Sequence, residues 1–208
     1  ETFRRMNYSA QINYTNTFGK HTFGSMGNFS REQYSRGNNL PIYRENWVFR
    51  ATYDFSKRYM LEYNGAYNGS EKFGVDYRFG FFQSGAVGWM FSEEAFFNIP
   101  KVTMLKIRGS FGQTGNKDIP PNLAQNIYEN RPAWRYGTQD LIAAGTRLTN
   151  IGTPDITWET TNSYDVGFDF ALMDNRISGS FAYYMQNVTD MLLRSQLPNS
   201  AGVQGGGI

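Results

Sequence analysis

The sequence predicts an all-β fold, an antiparallel transmembrane β-barrel segment with long extracellular loops, and three observations carry that expectation. Apolar and polar residues alternate with period two along stretch after stretch. The alternating stretches run to roughly 9–12 residues, which suits a tilted bilayer crossing of about 9–11 better than a globular strand of about 5–6. The connections between them alternate short with long. Composition agrees. Phe (17) and Tyr (14) take the place that Leu, Ile and Val usually hold, and they are thinned by 22 Gly. Aromatic residues favour pleated strands, and Asn and Gly clusters favour the turns between them.

The elements follow in order. Met6, Tyr8, Ala10, Ile12 and Tyr14 alternate with Asn7, Ser9, Gln11 and Asn13. Residues 21–30 read as a strand, but Gly24 and Gly27 blur which face is apolar. Trp47, Phe49, Ala51, Tyr53 and Phe55 alternate with Val48, Arg50, Thr52 and Asp54. Tyr59, Leu61, Tyr63, Gly65 and Tyr67 alternate with Met60, Glu62, Asn64 and Ala66. Gly85, Val87, Trp89 and Phe91 form the next apolar row, and Leu105, Ile107, Gly109 and Phe111 the one after it. Tyr164, Val166, Phe168 and Phe170 alternate with Asp165, Gly167, Asp169 and Ala171. After an Asp174-Asn175 corner, Ile177, Gly179, Phe181 and Tyr183 repeat the pattern. The total is about eight strands.

Residues 18–20, 56–57 and 174–175 are tight corners, and 93–100 is a moderate one. Between them lie longer stretches at 31–43, 69–81 and 113–157. Strict alternation sends every long loop from one rim, the asymmetry of outer-membrane barrels with short periplasmic turns. Within the largest loop, 123–130 and 139–144 read as short helical turns, and Pro120-Pro121 opposes anything longer.

On this reading Trp47, Phe49, Tyr53, Leu61, Tyr63, Leu105, Ile107, Val166, Phe168 and Phe181 face lipid. Arg50, Glu62, Asn64, Lys106, Arg108, Asp165 and Asp169 face the aqueous lumen. Two other readings share the alternation. A soluble or surface β-sandwich that binds glycans packs the same aromatics inward and predicts shorter strands and loops of mixed length. A small passive porin closes eight strands on themselves.

The residues exclude several classes. A net charge of +2 with interspersed signs is no nucleic-acid footprint. There is no cysteine, so neither disulfides nor thiolate metal sites arise within these residues. His21 is the one histidine, which excludes a multi-histidine metal site in the chain. Glu93 and Glu94 are adjacent, and neighbouring strand residues point to opposite faces. Asp165 and Asp169 lie about 13 Å apart at strand rise, too far to share a proton or a metal. The glycines at 109, 112 and 115 lie along a strand with no Gly-Lys-Ser/Thr after them, so they are not a phosphate loop. No catalytic residues, metal or cofactor are expected. The longest apolar run, 181–185, falls far short of the about 20 residues a membrane helix needs. Candidate substrate contacts concentrate in the large loop at Tyr128, Arg131, Trp134, Arg135 and Tyr136, the alternative being that these side chains pack the loop against itself or against a lid protein. Aromatic faces stack on sugar rings, and arginine pairs with carboxylates or peptide carbonyls.

Four ordered phrases also carry a resemblance: YRENWVFRATYDFSKRYMLEYNGAYNGSEKFG, FFQSGAVGWMFSEEAFF, LKIRGSFGQTGN, and GTPDITWETTNSYDVGFDFALMDNRISGSFAYYMQNVTDMLL. Together they resemble the barrel of SusC/RagA-type TonB-dependent outer-membrane transporters. Thr153 stands where that family usually has Asn, Met90 where Arg is usual, and Gly85-Ala86 replace a Val/Ser-type pair. The first 40 residues and the stretch 117–149 carry little resemblance. The resemblance implies that residues 1–208 are roughly eight strands of a barrel of about 22, with the plug domain, TonB box and C-terminal strands elsewhere in a longer protein. It implies import of oligosaccharides or oligopeptides across the bacterial outer membrane, driven through TonB acting on the plug. It implies a SusD-like surface lipoprotein as lid, surrounding membrane lipid, and a possible dimer of transporter–lipoprotein pairs. Nucleic acid is not among the expected partners.

Overall fold

The computed structural model describes residues 3–37, 41–116, 124–136 and 141–192, with backbone alone for 131–136, 141–144 and 147. The ten strands are β1 (Phe3–Phe18), β2 (His21–Arg36), β3 (Ile42–Phe55), β4 (Tyr59–Ser70), β5 (Phe79–Met90), β6 (Val102–Asn116), β7 (Ile127–Tyr136), β8 (Leu141–Asn150), β9 (Glu159–Leu172) and β10 (Ile177–Thr189). Eight form one antiparallel sheet in the order β1-β2-β3-β4-β5-β6-β9-β10, and β7 pairs with β8 in a separate two-stranded sheet. The larger sheet is an up-and-down meander interrupted once, where the chain leaves after β6 and returns as β9. It is not closed, since β1 and β10 stand at opposite ends of the order.

Two compact units emerge. One comprises residues 1–69, 79–115 and 160–189, and the other 70–78, 116–159 and 190–208. The first holds nearly all of the large sheet. In the second, the β7–β8 hairpin belongs to the same unit as the segments 70–78 and 151–159.

Register settles the faces. Phe23, Gly27 and Phe29 of β2 pair with Tyr53, Phe49 and Trp47 of β3, and Gly27 pairs with Ile12 of β1. Leu61 and Tyr63 pair with Val87 and Gly85, and Trp89 pairs with Ile107. Val166 and Phe168 pair with Tyr183 and Phe181. All of these side chains share one face. That face is open: Ile12 is 79% exposed, Trp47 51%, Val166 62% and Phe181 59%. Among the described residues, the buried hydrophobic side chains of the large sheet are Phe82 and Ala171. A sandwich of this size would bury the aromatic rows under a second layer; this sheet leaves them uncovered, so the β-sandwich reading does not hold.

The short turns lie along one rim. Ser56 N–H donates to Lys20 O at 2.7 Å, Met90 N–H to Arg58 O at 2.7 Å, and Met173 N–H to Lys101 O at 2.7 Å, so each turn is tied to the next. The β3–β4 corner has Ser56 and Lys57 at φ of 53° and 58°. Arg58 N–H donates to Phe55 O at 2.9 Å, which makes this the mirror-type hairpin turn whose twist matches the strands. Asp54 Oδ1 accepts from Lys57 N–H at 2.9 Å and supplies the turn chemistry that the missing glycine would otherwise give.

Three expectations need correction. The 31–43 stretch is mostly strand, because β2 runs to Arg36 and β3 starts at Ile42; residues 38–40 lie outside the described residues. Loop lengths therefore alternate less strictly than composition suggests. Where helical turns were expected at 123–130 and 139–144, residues 127–130 lie in β7 and 141–144 in β8, with 124–126 an irregular turn before β7; 123, 139 and 140 lie outside the described residues. Cross-strand pairing overrode weak local helical preference there. The strands of the large sheet also run longer than anticipated, to 16 residues in β1 and β2. Polar residues beyond the apolar rows still pair in the ladder, so alternation understates strand length.

Candidate functional site

The face opposite the aromatic rows carries charge. Arg50 on β3 donates to Glu62 on β4 at 2.8 Å, and Asn64 Nδ2 donates to the same carboxylate at 3.0 Å. Arg108 on β6 donates to Asp165 Oδ1 at 3.1 Å, lies 3.5 Å from Asp169 Oδ1, and reaches Ser180 Oγ on β10 at 3.4 Å. Asp165 and Asp169, four residues apart on one strand, are joined through one guanidinium that reaches both carboxylates. Sequence spacing on one strand could not show this, because the bridging residue comes from a neighbour brought in by the β6–β9 pairing. Lys106 shares this face, and together with Thr52, Asp54, Glu62, Arg108 and Asp165 it lines a concavity of about 500 Å³. Both signs occur, so the surface is wettable without a strong single-sign field. All seven residues expected on the lumen side therefore lie on one face, and all ten expected on the lipid side lie on the other.

The rim of short turns carries a belt of rings on the aromatic face. His21, Phe55, Tyr59, Trp89 and Phe91 follow one another with centroid separations of 4.8, 6.2, 6.3 and 4.9 Å. Phe91 then meets Phe96 and Phe97 edge-on at 5.5 and 5.2 Å. His21 Nδ1 lies 2.8 Å from Tyr53 Oη, so the lone histidine is exposed but partnered within the belt. Glu94 Oε1 accepts from Tyr59 Oη at 2.6 Å and from Trp89 Nε1 at 2.9 Å. These donors, the tyrosine first, hold the Glu94 carboxyl below its ordinary range. Sequence reasoning placed Glu94 in a turn and missed this role. The signal was present in the spacing of Trp89 and Glu94 across the 3-10 turn at Phe91–Glu93.

The second unit has its own core. Phe73, 2% exposed, stacks on Trp158 at 4.5 Å, and Trp158 Nε1 donates to Tyr77 O at 3.1 Å. Gly74 packs where any Cβ would meet Pro154 O at 2.5 Å. Two of the ordered sequence phrases, GSEKFG and TPDITWE, thus meet in space. The five candidate contacts fall on one strand, β7. Tyr128 pairs with Leu148 and Arg131 with Gly145. Beyond an irregularity between Pro132 and Trp134, Trp134, Arg135 and Tyr136 pair with Ala143, Ile142 and Leu141. Tyr128 is 61% exposed.

Comparison with known proteins decides the family. A family model described as TonB dependent receptor-like, beta-barrel, matches residues 2–205. The chain belongs to the TonB-dependent receptor β-barrel family. This receptor segment is 33% identical over 155 residues to TonB-dependent receptor P3 of Formosa agariphila, covering 74% of the chain and 15% of the relative. It is 29% identical over 178 residues to TonB-dependent receptor SusC of Bacteroides thetaiotaomicron, covering 81% of the chain and 17% of the relative. Its fold matches the solved RagAB peptide transporter with a TM-score of 0.82 at 19% identity, over 97% of the chain and 25% of that chain. The same importer in its open-open state matches with a TM-score of 0.78, again at 19% identity, over 97% of this chain and 25% of that one. The chain thus spans only 15% and 17% of these two relatives, and a quarter of the RagAB chain. As part of a TonB-dependent receptor barrel it is an outer-membrane protein.

Proposed function

We propose that these residues form part of the wall of an outer-membrane importer of oligosaccharides or oligopeptides. The observation that carries this reading is the division of one eight-stranded sheet into an exposed aromatic face and a charged face, in a chain of the TonB-dependent receptor family. The aromatic face meets acyl chains, and the charged face meets water inside the barrel. The wall does no covalent chemistry; transport is powered through TonB acting on the plug, and a SusD-like lipoprotein closes the outer mouth, with two such pairs able to associate. The likeness to SusC supports the lipoprotein partner, and the likeness to the RagAB peptide transporter favours peptide over glycan as cargo. Tyr128, Arg131, Trp134, Arg135 and Tyr136 supply stacking faces and charge for that cargo.

Site-directed nitroxides test the wall. Labels at Ile107, Val166 and Phe168 of the full-length receptor in vesicles are expected to be relaxed by dissolved oxygen, and labels at Lys106, Asp165 and Asp169 by a nickel chelate. Reversed accessibility overturns the reading. Uptake of labelled oligopeptides and oligosaccharides by cells with and without a functional TonB tests the transport; import that persists without TonB overturns it.

A further inference from the structure

The aromatic face is interrupted by a groove of about 490 Å³ crossing β1 to β5, with Ile12, Gly27, Phe29, Trp47, Phe49 and Gly65 among its walls. Phe29 and Trp47 form one side as a tilted ring pair 4.5 Å apart. Gly27 lies in mid-strand, where glycine weakens a sheet and often marks the close approach of a ligand. Among the described residues nothing requires glycine there. Its φ is not in the left-handed region, and a Cβ built on it meets no atom within 4 Å. The space in front of Gly27 is therefore kept open for something outside these residues.

Charge indicates what fills it. Arg31 lies two residues beyond Phe29 on the same face, with its guanidinium 5.7 Å from the Tyr43 ring centroid. It stands directly opposite Glu45, whose Oε1 accepts from Trp47 Nε1 at 2.9 Å. Arg4 lies on the same face of β1, four residues beyond Tyr8, the partner of Arg31, and rests 3.3 Å from Met6 Sδ. The two arginines are separated by about 14 Å of strand. Both sit toward the rim opposite the short turns, the outward rim in this family's architecture. An apolar trough with two spaced guanidinium groups beyond its outward end, neither of them in its lining, against one carboxylate, suits an acyl chain attached to a headgroup with two phosphates.

We propose that this groove is a specific site for a phosphorylated, multiply acylated glycolipid of the outer leaflet, one acyl chain lying over Gly27 and the phosphates meeting Arg31 and Arg4. The inference rests on the reading that the aromatic face meets lipid. Packing alone cannot select one chain over another in a bilayer, because lipid tails are as apolar as the groove. The arginines supply the selection, and the glycine supplies the room.

The test uses the full-length receptor extracted from outer membranes in mild detergent, with retained lipid measured by native mass spectrometry and phosphate analysis. The wild type is expected to retain the glycolipid. Gly27→Leu, whose Cβ meets no atom within 4 Å and whose branch extends into the groove, and Arg31→Gln should each lower retention by about tenfold. Val166→Leu, on the same face outside the groove, should leave it unchanged, and heat-modifiable mobility should report intact barrels throughout. Equal retention by Gly27→Leu and wild type overturns the proposal. So does retention of a single-phosphate glycerophospholipid in its place, or occupation of the groove by a second copy of the receptor. A nitroxide at Val166 separates the two levels. If it answers to oxygen while Gly27→Leu keeps its lipid, only the site fails; if it answers to nickel chelate, the reading of the face fails.

Discussion

Arg108 and Asp165, 57 residues apart in the chain, lie 3.1 Å apart across the β6–β9 junction where the sheet resumes after its long excursion. Asp169 shares the same guanidinium at 3.5 Å. The side chains are about a third exposed, 36% for Arg108 and 28% for each aspartate, so solvent discounts the attraction. A double-mutant cycle of Arg108→Ala with Asp165→Asn should give a coupling of about 0.2–1 kcal/mol. Urea unfolding of the full-length receptor in vesicles measures it. A coupling several times larger would mean that the pair is far drier than the open charged face implies.

The two faces should respond in opposite ways to the same added charge. Val166→Lys is expected to cost about 2–4 kcal/mol of barrel stability if it lies near the bilayer midplane. Asp165→Lys, one residue away, removes one partner of Arg108 but places its ammonium in water, and should cost much less. Unfolding midpoints of the two variants in the same vesicles compare them.

Glu94 sets a pH dependence at the rim of short turns. Its carboxyl is depressed in the folded state, so its contribution is fully present above the unfolded value of about 4.3 and is lost as pH falls through the lower folded value. Glu94→Gln should therefore reduce stability at neutral pH and flatten the acid limb below about pH 4.3. Thermal unfolding between neutral and acid pH, followed by tryptophan fluorescence, gives both curves. Parallel acid limbs in variant and wild type would show that the hydrogen bonds from Tyr59 and Trp89 do not bias its ionisation.

In the second unit, Phe73 is the most buried side chain among the described residues and Trp158 its stacking partner. Trp158→Ala should destabilise that unit by about 3–5 kcal/mol through the cavity and the lost ring contact. Hydrogen exchange should quicken in 70–78 and in β7 and β8, while the middle of β6 keeps its protection. Uniform quickening across both would show that the two units open together.

Stacking on cargo is the last expectation. Tyr128→Ala should weaken binding of the transported oligomer by about 1 kcal/mol, the scale of an aromatic contact, with barrel assembly unchanged. Calorimetry with a defined oligopeptide set against a defined oligosaccharide measures the loss and identifies which cargo senses it.

Much of this fold is legible in the sequence because a sheet with one apolar face writes itself as alternation. Trp47 to Phe55 and Tyr164 to Phe170 could be assigned to faces from their spacing alone. The rows around Gly24 and Gly27 could not, since glycine carries no side chain to mark a face; only pairing with Thr15 and Ile12 resolves them. The β7–β8 hairpin was missed because its residues pair across a polar, irregular register and show no clean period. Spacing names the residues that share the charged face, but it shows neither their ion pairs nor the meeting of Tyr59 and Trp89 at Glu94.

By itself the sequence determined the class of structure, the two faces of strands with unbroken alternation such as β3 and β9, and the rim that holds the tight turns. Those properties depend on neighbours along the chain, and period two records them directly. Tertiary structure decided which strands lie side by side, and hence which charges pair, where the aromatic belt closes on a carboxylate, and where the outer face opens into a groove. Those depend on residues up to 81 positions apart, as between Trp158 and Tyr77. No local pattern encodes a contact whose two halves meet only when the backbone ladder brings them into register.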